Sequence, residues 1–102
     1  MATLLAMYKP PKDAAAFDRC YFCTHVPLAK TIPGLRKYEV SAGGVHTPAG
    51  PGPYHLIALL HFDTLADIQA AFASPQGQAT AADIGNFADG GVDLMFCDTR
   101  TV

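Results

Sequence analysis

The chain has 102 residues, the size of one ordinary domain, and its 50% hydrophobic content suffices for a single core. Charged residues make up 16% with a net charge of -2 and a pI near 6.0, so there is no basic stripe of the kind nucleic-acid binding requires. No apolar run approaches the roughly 20 residues that span a bilayer, and MATLLAMYKPPK lacks the basic start of a signal peptide, so a single cytoplasmic domain over residues 1–102 is expected.

Thr3 to Tyr8 (TLLAMY) is a short apolar run stopped by Lys9, Pro10 and Pro11, which reads as a buried strand with a forced exit. Asp13 can cap the next helix, in which Phe17, Cys20, Tyr21 and Thr24 recur at helical spacing. Pro27 disfavours the helical conformation at Val26, and Pro33-Gly34 is a second break, so residues 25–34 are expected to connect rather than coil. Leu35 to Ser41 reads as a second strand, and AGGVHTPAGPGP (42–53) as a loop. Tyr54 to Phe62 (YHLIALLHF), rich in aromatic and branched residues, is a third strand. Asp63-Thr64 caps a helix carrying the stripe Leu65, Ile68, Ala71 and Phe72, and Ser74-Pro75 starts another that runs to about Ala88. After Gly90-Gly91, Val92 to Cys97 forms a last strand with Val92, Leu94 and Phe96 on one face.

The order βαββααβ is an α+β, ferredoxin-like arrangement with helices on one face of an antiparallel sheet. Both parities of the strands are apolar: Leu5, Met7, Ile57 and Leu59 on one, Leu4, Ala6, Leu56, Ala58 and Leu60 on the other. Something must cover the face the helices leave bare, and a second copy of the chain, forming a homodimer, is the simplest cover.

The cysteine pair in CYFCTHVPL invites a metal, haem or redox reading. From an unbroken helix Cys20 and Cys23 are near neighbours but His25 points away, haem attachment needs His directly after the second Cys, and thioredoxin-type chemistry needs the pair at a helix N-terminus. Small apolar filling is the preferred reading, with no metal and no cofactor expected. His25 is either a C-terminal cation complementing the helix dipole or an imidazole held at a cavity rim. His46 lies in the Gly/Pro loop, where an exposed, solvated side chain is expected. His55 and His61, six residues apart on one strand, are expected to share a face, where His61 is a candidate acid or base. Tyr38 either fills the core or offers a phenol to a ligand. Asp63, Asp67 and Asp83 fit capping or solvated helix positions.

YKPP, a helix ending THVPL, then PGLRKYEV, YHLIALLHFDT and ASPQGQATAADIGNFADGGV together resemble the EthD family, named for ethyl tert-butyl ether degradation, over about Leu4 to Phe96. The resemblance implies a dimeric α/β barrel and a role in oxidative degradation of ethers and other small organics. The wider superfamily includes cofactor-independent monooxygenases, haem-degrading enzymes and muconolactone isomerases. By similarity to methylmuconolactone methylisomerase, His25 and Tyr38 match substrate-facing positions and His46 a loop histidine used in proton transfer. That isomerase's third-strand cysteine has no counterpart in Ala58-Leu59-Leu60, and His61 stands where many EthD-like sequences have tryptophan. Two functions are therefore expected to compete. One is an oxidoreductase or proton-transfer enzyme on a small apolar molecule, using His25, Tyr38 and His61 or His46. The other is a non-catalytic dimeric binder or auxiliary to a partner oxygenase. Haem binding would need an imidazole opening into a porphyrin-sized pocket.

Overall fold

The computed structural model describes all residues, Met1–Val102. Strand β1 (Ala2–Tyr8) is followed by helix α1 (Ala14–Cys20), a π-helical turn (Tyr21–His25) and a short helix α2 (Val26–Ala29). Strand β2 (Lys37–Val40), a hairpin of β3 (His46–Thr47) and β4 (Gly50–Pro51), and strand β5 (Leu56–Phe62) come next. Helices α3 (Leu65–Ala73) and α4 (Pro75–Asp83), a 3-10 turn (Ile84–Asn86) and strand β6 (Val92–Asp98) complete the chain. The main sheet is four-stranded in the order β2-β5-β1-β6, antiparallel throughout, as a ferredoxin-like fold requires. No helix is long and apolar enough to cross a membrane.

Local chemistry sets the element boundaries as expected at three N-caps. Asp13 accepts from the Ala16 amide, Thr64 from Asp67 and Ser74 from Gly77, each satisfying a donor the helix itself cannot. Asp63, read as part of the second cap, instead pairs with Arg36 at 2.8 Å. Gly77 lets α4 fold back tightly on α3: a Cβ there would lie 2.0 Å from the Ala71 carbonyl oxygen.

Alternation along the strands divides the sheet cleanly. Leu4, Ala6, Tyr8, Leu56, Ala58, Leu60 and Phe62 are buried under the helices, against Phe17, Tyr21, Ile68 and Phe87. The opposite parity faces outward: Leu59, Leu5 and Met95 lie in one row across three strands, with Ile57 and Met7 beside them. The molecule is only 18 Å thick against 35 and 34 Å in its other dimensions, a sheet with a single helical layer and one uncovered apolar face.

Three expectations need correction. The first helix does not stop at Thr24, because it continues as a π turn in which the Val26 amide bonds the Tyr21 carbonyl, and then as α2 through Pro27 to Ala29. The wider π turn shifts the hydrogen-bond register just where Pro27 has no N–H to give. Cys20 and Cys23 do not fill the core but are exposed, since Phe17, Tyr21 and His25, four residues apart in turn, take the inward face. His55 and His61 do not share a face. The strand begins at Leu56, so alternation does not extend to His55, whose ring sits edge-on to Phe17 and bonds Asp18 at 2.9 Å.

Candidate functional site

Between the helices and the buried face of the sheet lies a cavity of about 270 Å³ lined by 17 residues, 14 of them hydrophobic. Its polar groups are few, and the elements that carry them are far apart in sequence. Strand β1 brings Tyr8, the π turn brings Tyr21 and His25, and β2 brings Tyr38; α3 brings the exposed Gln69, and α4 contributes Thr80, with Asp83 behind it.

His25 is 4% exposed, wedged against Phe87 with ring centroids 4.8 Å apart and against Tyr21 at 5.3 Å. Its Nδ1 stands 2.9 Å from Asp83 Oδ2 across 58 residues of sequence. A carboxylate can only accept, so Nδ1 carries the hydrogen and Nε2 of the neutral ring holds a lone pair. Burial lowers the His25 pKa from its ordinary 6.5, and the hydrogen bond and charge of Asp83 offset this only in part. The ring is thus neutral at neutral pH and its unprotonated nitrogen is the one that Asp83 leaves free.

The Tyr21 and Tyr38 hydroxyls are 2.6 Å apart, so one donates to the other and the pair keeps a single O–H for anything else. Burial raises the pKa of Tyr21, Tyr8 and Tyr38 alike, which keeps all of them protonated. No fully buried side-chain nitrogen or oxygen lacks a partner. The Tyr8 hydroxyl and His25 Nε2, which have none in the chain, therefore reach open space, and both residues line the cavity. Leu94 and Phe96, on uncovered β6, line its other end and are 51% and 50% exposed, so the cavity opens at that edge of the sheet.

Of the four residues expected to converge, His25 and Tyr38 meet in this cavity and the other two do not. His46 is exposed on the β3-β4 hairpin. His61 has the outward parity of β5 and lies on the uncovered face, where Nδ1 is 3.1 Å from Thr3 Oγ1 and Nε2 is 2.8 Å from Glu39 Oε1. That hydrogen bond holds the Glu39 carboxyl below its usual range. Asp83, read as a solvated helix residue, is the partner of His25 instead, with a side chain 12% exposed. Sequence offered no local sign of this pair; Tyr8 and Tyr21 were legible only as apolar positions. No group of three or more His, Cys, Asp or Glu side chains is placed to hold a metal ion.

Comparison with known proteins gives concordant results. Residues 9–91 match the model of the EthD domain. The chain is 42% identical over 103 residues, 100% of this chain and 98% of the other, to an uncharacterized 11.0 kDa protein from the thcB-thcC intergenic region of Rhodococcus erythropolis. The crystal structure of an ethyl tert-butyl ether degradation (EthD) family protein from Bacillus halodurans superposes with a TM-score of 0.90 at 35% identity, covering 98% of this chain and 99% of that one. A dimeric ferredoxin-like protein of unknown function from Jannaschia sp. CCS1 superposes at 0.68 with 18% identity, covering 96% and 98%, a likeness of fold.

Proposed function

Since this chain belongs to the EthD family, we propose that it binds a small apolar organic molecule between sheet and helices and moves a proton on it through His25. The observation that carries this reading is the Asp83–His25 pair, which leaves Nε2 free on a ring that lines a mostly apolar cavity. A half-buried carboxylate that fixes the tautomer of an imidazole, and can neutralise the imidazolium once a proton arrives, is the arrangement general base catalysis needs. Tyr38, backed by Tyr21, is the donor to a developing oxyanion. Such a step is common to a cofactor-independent oxidoreductase and to an isomerase. The isomerase is the weaker of the two: in Ala58-Leu59-Leu60, the neighbourhood that corresponds to its third-strand cysteine, Ala58 and Leu60 line the cavity and bring no thiol. We assign the uncovered sheet face, His61 included, to a second copy of the chain rather than to the site.

The test is turnover of candidate lactones, quinols and ethers as a function of pH by the unaltered protein, His25→Gln and Asp83→Ala. General base catalysis contributes roughly 10² to 10⁴ in rate, so a loss of that order in His25→Gln, with ligand affinity retained, is the expected result. Asp83→Ala is expected to lose a smaller part, because it leaves the base in place but unoriented. The mostly apolar lining supports a second reading, a binder that holds or delivers a hydrophobic compound. Affinity without any His25-dependent rate would establish that reading and end the first.

A further inference from the structure

We infer that the natural occupant of the cavity is an uncharged hydroxylic molecule, a phenol or enol with an apolar body, and not an ether, a carboxylate or an amine. Only the proton step after binding rests on the role of His25 as a base; the choice of ligand class comes from the inventory of polar groups.

No lysine or arginine lines the cavity, so a carboxylate or phosphate would find no fixed counter-charge there and could be balanced only by protonating His25, which burial opposes. An ammonium group would need a free carboxylate, and the one at hand, Asp83, is held by His25 at 2.9 Å. Charged ligands of either sign are thereby disfavoured. Apart from the Gln69 amide, which is exposed, and the Thr80 hydroxyl, which already donates to the Gln76 carbonyl, the remaining groups are complementary in a specific way. His25 Nε2 is an acceptor with nothing to accept, while Tyr8 and the Tyr21–Tyr38 pair have O–H groups to donate. A ligand hydroxyl satisfies both kinds at once, donating its hydrogen to Nε2 and accepting from a phenol. An ether or ester oxygen can only accept, and leaves Nε2 unpaired in an apolar enclosure. Where the proton then moves, the ligand O–H bond breaks, an N–H bond forms at Nε2, and the electron pair stays on the ligand oxygen facing the phenols. Imidazolium and oxyanion appear together, so the net charge of the cavity does not change.

Three probes that share one body separate the cases: 4-nitrophenol, its methyl ether 4-nitroanisole, and 4-nitrobenzoate. Their binding to the purified protein is measured by calorimetry, and the phenolate absorbance of bound 4-nitrophenol is read at a pH where the free compound is mostly protonated. The expected order is phenol first, the ether weaker by about tenfold or more for the unpaired nitrogen, and the benzoate weakest. Ether or benzoate binding as tightly as the phenol overturns the inference, and so does failure of 4-nitrophenol to bind at millimolar concentration. Phenolate absorbance that disappears in His25→Gln supports the base reading as well. Preference for the phenol without His25-dependent ionisation supports the ligand class and overturns the base, so the two failures are distinguishable, and the class is decided on the unaltered protein alone.

Discussion

At the scale of the residue, His25 joins stability to pH in a way that its surroundings dictate. Its pKa in the folded chain lies below the 6.5 it recovers on unfolding, burial being the larger cause and Asp83 a partial offset. Between those two values the unfolded chain binds the proton and the folded chain does not, so stability rises with pH across that window. The contribution is complete above 6.5 and is lost as pH falls to the folded-state value. Urea unfolding at pH 7.5 and at pH 5 should therefore show less stability at pH 5, and His25→Gln should reduce that difference. An unchanged difference in the variant would mean that burial does not depress this imidazole. The same neutral ring is what a base facing an apolar ligand must be, so one measurement addresses both fold and chemistry.

At the scale of the element, the π turn over Tyr21–His25 is the feature on which the site depends. A proline inside a helix costs about 3 kcal/mol, through a lost hydrogen bond and a clash with the preceding turn. The i to i−5 bond from Val26 to Tyr21 accommodates Pro27 by widening the turn, and the same widening fixes how His25 is presented to Asp83 on α4. Pro27→Ala removes the reason for the wide turn. The expected outcome is a thermal midpoint equal to or above that of the unaltered protein, together with weaker ligand binding, as an α-helical register turns His25 away from Asp83. Loss of both stability and binding would show instead that Pro27 packs in a way the helix needs. This element also marks where sequence reading ran short. Helical spacing found the face bearing Phe17 and Tyr21, but Pro27, read as ending the helix, follows a turn that keeps Val26 helical. A disturbance absorbed by a register shift, however, looks in sequence the same as a helix that ends. The Asp83–His25 bond was hidden for a different reason: it joins α4 to the π turn, and nothing local in ADIGN distinguishes a buried carboxylate from a solvated one.

At the scale of the whole molecule, two-residue periodicity made the fold legible: apolar groups on both parities of β1 and β5 foretold a sheet apolar on both faces, and helices cover only one of them. Parity also settled what the sequence had left open, since His61 shares its face with Leu59, not with Tyr38. The uncovered row Leu59, Leu5 and Met95, with Ile57 and Met7 at its side, is bordered by the polar group of Lys37, Glu39, His61 and Thr3. An apolar centre with a hydrogen-bonded polar rim on one side suits a two-fold interface, in which each copy offers the same surface. Leu59 stands in that row between Leu5 on β1 and Glu39 on β2, outside the helix-covered core and on the opposite face from the cavity. Leu59→Arg should therefore leave the protomer folded, because an outward arginine can extend into water, while two such charges facing each other in a dry interface cannot both be accommodated. Sedimentation at micromolar concentration should give a dimer for the unaltered protein and a single protomer for the variant, with matching far-ultraviolet circular dichroism. If ligand binding survives in the separated protomer, the cavity is complete within one chain; if it is lost while the fold is kept, the partner closes the mouth at Leu94 and Phe96. A dimer that persists with Leu59→Arg would place the contact elsewhere and leave the apolar row without the cover assigned to it.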